Sequence, residues 1–305
     1  MEIRHLRTFL AVAEELHFGR AAARLHMAQP PVSQHVQQLE KELGVQLFER
    51  NNRSVALTEA GRALLKPAER VLIDVDLARR AAMFGSTGIT GRVSIGFAGA
   101  SSRQALPQIT RAVRTGQPGI DLALRGQTYG GAVENQVLAG ELDMGFTRLP
   151  IRNPGLQWHV FDYERLVIAL PEDHPLTQKD QLDVEDLEGE PFVSFPATQG
   201  STVRDATTLV ALNAGFTPRI VQEAPDSYTI LSLVAAGVGT TVTVSSVQHI
   251  ELPGLCYRPF STPVPQLAAV LVWRKNSTNP ALQAVLDIAR ELLPPPTPVP
   301  ELLLK

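Results

Sequence analysis

The sequence predicts a chain in two parts. A helical N-terminal unit with a small β wing and a long linker helix comes first, and a C-terminal α/β body of two lobes follows. Three patterns predict this. Apolar residues recur at helical spacing from Leu6 to Ala82. From Arg92 strand and helix patterns alternate as βαβαβ, which implies parallel strands joined by helical crossovers. The alternation starts again near residue 162, so two similar lobes would face each other across a cleft.

Leu6, Phe9, Leu10 and Ala13 fall at i, i+3, i+4 and i+7, the stripe of an amphipathic helix. A turn at His17–Gly19 precedes a short helix around "RAAARLH", whose alanines permit close helix contact. "MAQPP" interrupts it. Pro30 and Pro31 suit the first turn of a new helix, where a missing N–H costs nothing. That helix should bury Val32, Val36, Leu39 and Leu43, with Gly44 ending it. Two short helices around a tight turn, the second with polar side chains outward, describe a helix-turn-helix. "VQLFERNNRSVAL" then reads as a small wing with Arg50, Asn51, Asn52 and Arg53 at its tip. Thr58 caps a long helix in which Leu64, Ala68, Val71, Val75, Ala78 and Ala82 alternate at spacings of four and three. Those are the positions of a coiled-coil seam, so this linker helix is expected to dimerise, with Pro67 bending it.

"GSTGITG" (85–91) reads as a hinge. Beyond it "RVSIGFAG", "IDLALRG", "LDMGFTRL", "ERLVIALP", "PFVSFPA", "RIVQEA", "GTTVTV" and "LAAVLVWRK" read as strands, with helices between most of them. The predicted units are 1–57, 58–84, 85–91 and 92–293, with lobe I at about 92–161 and 266–293 and lobe II at about 162–265. The Pro-rich end, 294–305, reads as a largely disordered, polyproline-like tail.

Composition narrows the function classes. The net charge is −3, yet residues 1–90 hold 12 Lys and Arg against 10 Asp and Glu, leaving 16 against 21 for the rest. The mildly basic first part keeps nucleic acid open as a partner. Cys256 stands alone, which excludes an intrachain disulfide framework and a cysteine metal cluster. The first residues lack a secretory pattern, and no stretch approaches the ~20 apolar residues of a membrane span. The expectation is a cytoplasmic protein without a membrane partner.

The helix after "MAQPP" carries glutamines where a solvated face usually carries Glu and Lys. On a helical wheel with Val32 at zero, Gln34, Gln37, Gln38 and Lys41 lie between about 140° and 240°, opposite the apolar stripe. A glutamine amide offers a donor and an acceptor side by side, matching adenine in the major groove. Lys41, Arg50 and Arg53 fit as clamps on the phosphate backbone.

The stretch "LRTFLAVAEELHFGRAAARLHMAQPPVSQHVQQLEKELGVQLFERNNRSVALTEAGRALL" resembles the N-terminal domain of LysR-type transcriptional regulators. "GELDMGF" and "LVAAGVGTTV" resemble the effector domain of the same family, so the likeness spans the chain. It implies a winged helix-turn-helix, a linker-helix dimer and a bilobed, periplasmic-binding-protein-like effector domain, often assembled as a tetramer. By that similarity Gln29, Pro30, Ser33, Gln34 and Arg53 contact DNA, with Pro31, Gln37 and Arg50 completing the surface. Gln34 stands where many relatives carry Arg. The implied partners are promoter DNA, further copies of the chain, a small-molecule inducer and RNA polymerase.

Ser101 and Ser102 follow the first strand of the body, and Ser201 and Thr202 open a helix in the other lobe. Helix N-termini bearing hydroxyls on both sides of a cleft suit a carboxylate, and Thr128 could complete the site. Each hydroxyl could equally cap its own helix. Arg148 either adds an anion partner or forms a structural salt bridge with Asp226 or Glu223. "GFAGASSRQALP", "GFTRLPI" and "SFPATQGS" most resemble the branch of the family that senses benzoate or muconate. Ala100 stands where those relatives offer a hydroxyl, and "QTYGG" lengthens the loop around Thr128. The expectation is a small organic acid as effector, with no cofactor and no metal.

Two other classes fit a bilobed α/β body. An enzyme would need a nucleophile elbow, a Walker loop or a dinucleotide glycine pattern, and the sequence has none. His5, His17, His26 and His35 lack metal-ligand spacing. A solute-binding transport component would have no use for the helix-turn-helix.

Overall fold

The computed structural model describes residues 1–50, 55–84, 88–97, 102–126 and 130–304, with backbone alone at 50, 77, 80, 81, 84, 130 and 199. It divides into two compact units, Met1–Ser86 and Thr87–Lys305.

The first unit contains α1 (Ile3–Glu15), α2 (Phe18–Arg24), α3 (Gln29–Leu43), β1 (Phe48–Arg50), β2 (Val55–Leu57) and α4 (Glu59–Phe84). α1 contributes Leu6, Phe9, Leu10 and Val12 to a core completed by Phe18, Ala21, Val32, Val36, Leu39, Leu47 and Phe48. Phe48 packs on Phe9 and Phe18, with ring centroids 5.5 and 5.9 Å apart. The carboxylate of Glu40 accepts from the backbone N–H groups of Leu47 and Phe48 at 2.9 and 3.2 Å, which ties α3 to the wing strand. β1 and β2 pair antiparallel, Phe48 opposite Leu57. Leu43, expected in the core, is exposed at the end of α3.

The seam predicted for α4 divides. Ala68 is buried, and Leu64, Leu65 and Leu72 pack against the same core, so the first half of α4 belongs to its own unit. Val71, Ala78, Ala82 and Met83 remain exposed. The helix continues through Pro67.

In the second unit, lobe I is a five-stranded sheet with the order β4-β3-β5-β12-β6. Its strands are β3 (Gly91–Gly96), β4 (Ile120–Arg125), β5 (Met144–Arg148), β6 (Leu156–Glu164) and β12 (Leu267–Arg274). β3 runs parallel to β4 and β5, whereas β12 is antiparallel to β5 and β6. α5 (Ala105–Gly116), α6 (Gly130–Ala139) and α9 (Pro280–Leu292) cover it. Lobe II holds β7 (Leu166–Pro171) between β10 (Thr241–Val244) and β11 (Leu255–Pro259), both antiparallel to it. Beside them β8 (Pro191–Ser194) and β9 (Arg219–Glu223) pair in parallel. α7 (Thr202–Asn213) and α8 (Ser227–Ala235) complete its core. The lobes are thus less alike than the repeated pattern predicts, and β6 and β11 are additions to it.

Two passages of chain join the lobes: Arg165, between β6 and β7, and residues 260–266, between β11 and β12. The tail also departs from expectation. Leu303 bridges to Gln266, and Leu304 packs against the core of lobe II. Among the described residues no helix is long and apolar enough to cross a membrane.

Gly61, near the start of α4, shows how closely wing and linker approach. A Cβ there would lie 2.2 Å from the carbonyl oxygen of Leu47, which is backbone and cannot swing aside. Gly61→Ala is expected to destabilise the first unit by roughly 1–3 kcal/mol in denaturant unfolding. Gly116→Ala, with nothing within 4 Å of the added carbon, serves as the neutral control. Equal midpoints for the two variants would contradict this packing.

Candidate functional site

α3 begins at Gln29 with prolines in its first turn, and Gly44 ends it in the left-handed region. Val32, Val36 and Leu39 have no exposed surface, so the rotation of the helix about its axis is set. The opposite face carries exposed Gln34, Gln37, Gln38 and Lys41 at i, i+3, i+4 and i+7. Gln29 and Pro30 are exposed at the N-terminal end, while Pro31 and Ser33 are half-buried beside them. The Gln29 amide lies beside Gly19, near the start of α2. The helical residues expected to contact DNA therefore share one continuous surface. Arg50 ends the wing strand β1, but its side chain and the whole of Arg53 lie outside the described residues.

Two histidines hold this arrangement through hydrogen bonds that their sequence positions do not reveal. His17 caps α2: its Nδ1 accepts from the N–H groups of Gly19 and Arg20 at 3.0 and 3.2 Å. The Ser/Thr/Asx rule for N-caps does not point to imidazole. His35, on α3 beside Gln34, lies 3.0 Å through Nδ1 from the hydroxyl of Thr8 on α1. Thr8 gives its single proton to the Arg4 carbonyl at 2.8 Å, so His35 Nδ1–H donates to Thr8. The ring of buried His5 sits 5.4 Å from that of His35. Desolvation, then the neighbouring His5 and Arg4, push the His35 pKa below its ordinary value, with Glu2 opposing.

The residues expected at the cleft fall into three groups. Ser101 and Thr128 lie outside the described residues. Ser102 is buried in the turn before α5, its carbonyl accepting from Leu106 N–H at 2.8 Å. Ser201 is the N-cap of α7, its hydroxyl accepting from Arg204 N–H at 3.4 Å, and Thr202 is the first residue of that helix. Gly200 approaches Gly131 so closely that an added Cβ would lie 3.0 Å from the Gly131 Cα. The α7 N-terminus of lobe II and the α6 N-terminus of lobe I thus meet at one place.

Arg148 pairs with neither residue expected of it. Its Nε and Nη2 donate to the carboxylate of Glu164 at 2.5 and 3.1 Å, and Glu164 is fully buried. The Ser246 hydroxyl of lobe II donates to the same carboxylate. Glu223 instead pairs with Arg204 at 2.6 Å, and Asp226 caps α8. Arg148 is therefore a structural clamp rather than a free anion partner. Burial, and then Glu164, raise the pKa of nearby Asp162.

Comparison with known proteins matches this geometry at both ends of the chain. Residues 3–62 match the family described as "Bacterial regulatory helix-turn-helix protein, lysR family", and residues 86–294 match "LysR substrate binding domain". The chain belongs to the LysR family of DNA-binding transcriptional regulators. It is 39% identical over 295 residues to the regulator ShiR of Corynebacterium glutamicum, covering 97% of this chain and 100% of that one. To AlsR of Bacillus subtilis it is 35% identical, with 95% of each chain covered. Full-length CbnR bound to its target DNA aligns with a TM-score of 0.78 at 28% identity, covering 95% of this chain and 99% of CbnR. Full-length BenM aligns with a TM-score of 0.59 at 31% identity, covering 96% of each. The enzyme and transport readings fall with this assignment.

The His35 shift makes the seating of α3 dependent on pH. A folded-state pKa below the ordinary 6.5 means the native state prefers the neutral ring. Stability is then complete above the unfolded pKa and is lost as pH falls through the folded one. The first unit is expected to lose thermal stability as pH falls from about 7 to about 5, and His35→Asn to show a shallower loss. Parallel pH profiles for the two proteins would contradict the assignment.

Proposed function

We propose that this LysR-type regulator acts in the cytoplasm and changes its hold on promoter DNA when a small organic acid, aromatic or dicarboxylic, binds between the lobes. The observation that carries the acid is the approach of Gly200 to Gly131, which brings helix N-termini from both lobes to one cleft. Helix N-terminal N–H groups and positive dipole ends in general favour a carboxylate. Ser101, Ser102, Thr128, Ser201 and Thr202 are the hydroxyls we assign to this site. The resemblance of "GFAGASSRQALP", "GFTRLPI" and "SFPATQGS" to the benzoate- or muconate-sensing branch of the family supports this effector class.

A ligand that touches both lobes favours one relative position of them. Copies of the chain paired along the outward face of α4, through Val71, Ala78 and Ala82, would carry that change to two α3 helices on one duplex. Gln34 and Gln37 read base edges, while wing arginines hold the backbone.

Mobility shift on the chain's own promoter region, with and without benzoate or muconate, tests DNA output and effector together. The expected result is discrimination against scrambled duplex and an acid-dependent change in the complex. Thermal unfolding tests the acid separately: at a hundred times its Kd a true ligand adds ~2.7 kcal/mol. No stabilisation by any organic acid at millimolar concentration would overturn the effector reading and leave the DNA reading standing.

A further inference from the structure

The Pro-rich tail connects two bodies that the chain has already joined twice. It leaves α9, which packs on lobe I through Leu282, Val285 and Leu286, and whose end is held by His159 Nε2 at 2.6 Å from the Leu293 carbonyl. Its far end is anchored elsewhere. Gln266 N–H donates to the Leu302 carbonyl at 2.9 Å, and Leu304 N–H donates to the Gln266 carbonyl at 2.9 Å. The Leu304 side chain packs against the core of lobe II, as do Phe260 and Val264.

Between these anchors lies the hinge. A groove of about 740 Å³ is walled mainly by three segments of chain, Arg165–Val167, Pro259–Gln266 in part and Pro300–Leu302, with Gln181 and Gln248 completing it. The first two contain the covalent passages between the lobes. The third is the tail, which crosses the same hinge and is held there by hydrogen bonds and one half-buried leucine. Five of the seven residues from 294 to 300 are proline. Such a segment has fixed φ angles and behaves as a stiff spacer, so it transmits displacement between its ends instead of absorbing it. Its stiffness also lowers the entropy lost on docking. A tail that merely covered apolar surface would need one lobe; this one is fastened to both.

We propose that residues 294–304 form a strap across the hinge of the effector domain, which restricts the relative rotation of the lobes and must yield or shift for the domain to change state. The strap gives this chain a third, reversible link whose release widens the range of lobe positions. Its role in signalling rests on the reading above that lobe position carries the effector response. Its mechanical role can be tested without any effector.

The test is an interlobe distance distribution in the full-length protein. Nitroxide labels at Gln283→Cys on α9 and Glu188→Cys in lobe II, in a Cys256→Ser background diluted with unlabelled protein, report it by pulsed electron spin resonance. Ending the chain at Leu293, or replacing Leu304→Asp to expel the anchor, is expected to broaden the distribution about twofold. Amide exchange at 165–167 and 260–266 should rise about tenfold in the same variants, while Leu304→Met keeps the parent values. An unchanged distribution in Leu304→Asp, with exchange raised only at Gln266 and beyond 300, would overturn the strap. A lowered melting temperature with an unchanged distribution would do the same, because it would reduce the tail to a cover. Failure of every organic acid to bind would leave these distances untouched and would count only against the effector reading.

Discussion

The seating of α3 is the constraint on which the rest depends. Val32, Val36 and Leu39 are wholly withdrawn from water, and burial of each is worth roughly 1.5–3 kcal/mol. Rotating the helix would expose them, so Gln34, Gln37 and Gln38 have one direction in which to point. Glu40 fastens the wing to the same helix through two backbone N–H groups, and His35 fastens it to α1. Recognition face, wing and support are therefore one rigid part. In the proposed function, the neutral amides on that face leave affinity to phosphate contacts and place discrimination on hydrogen bonding to bases.

The effector domain is built on the opposite principle, with rigid lobes and few links between them. Each lobe has its own apolar core. Polar contacts join them at identifiable points: Ser246 of lobe II reaches the buried Arg148–Glu164 pair of lobe I, and Arg103 lies 3.2 Å from His249 across the lobes. Breaking a buried pair is costly, since the remaining charge is left without its partner. Discrete contacts of this kind favour a small number of lobe positions over a continuous range, which suits a switch.

How much of this was legible in the sequence follows from the range of the interactions. The α3 face could be read directly, because three- and four-residue spacing determines it locally. The βαβ strands of lobe I were equally plain. β6 was not: its buried and exposed positions do not alternate, and a β-bulge at Phe161 shifts its register against β12. The α4 seam was legible as a pattern but ambiguous in its partner, and α1 takes the first half through Leu64 and Ala68. Arg148 was singled out, but Glu164 was not, because nothing local marks a carboxylate as buried. The tail misled through its prolines, although the three leucines at 302–304 were a visible sign that something apolar had to cover them.

The central claim, that α3 reads bases from the major groove, is tested most directly by a base-analogue scan of the bound operator. Duplexes carrying 7-deazaadenine lose the N7 acceptor in the major groove, and inosine for guanine removes the minor-groove amino group. The account requires binding to fall for the major-groove substitutions at a few base pairs in each half-site, with Gln34→Ala losing its sensitivity at one adenine. Sensitivity confined to the minor groove, or an identical scan for Gln34→Ala and the parent protein, would contradict it.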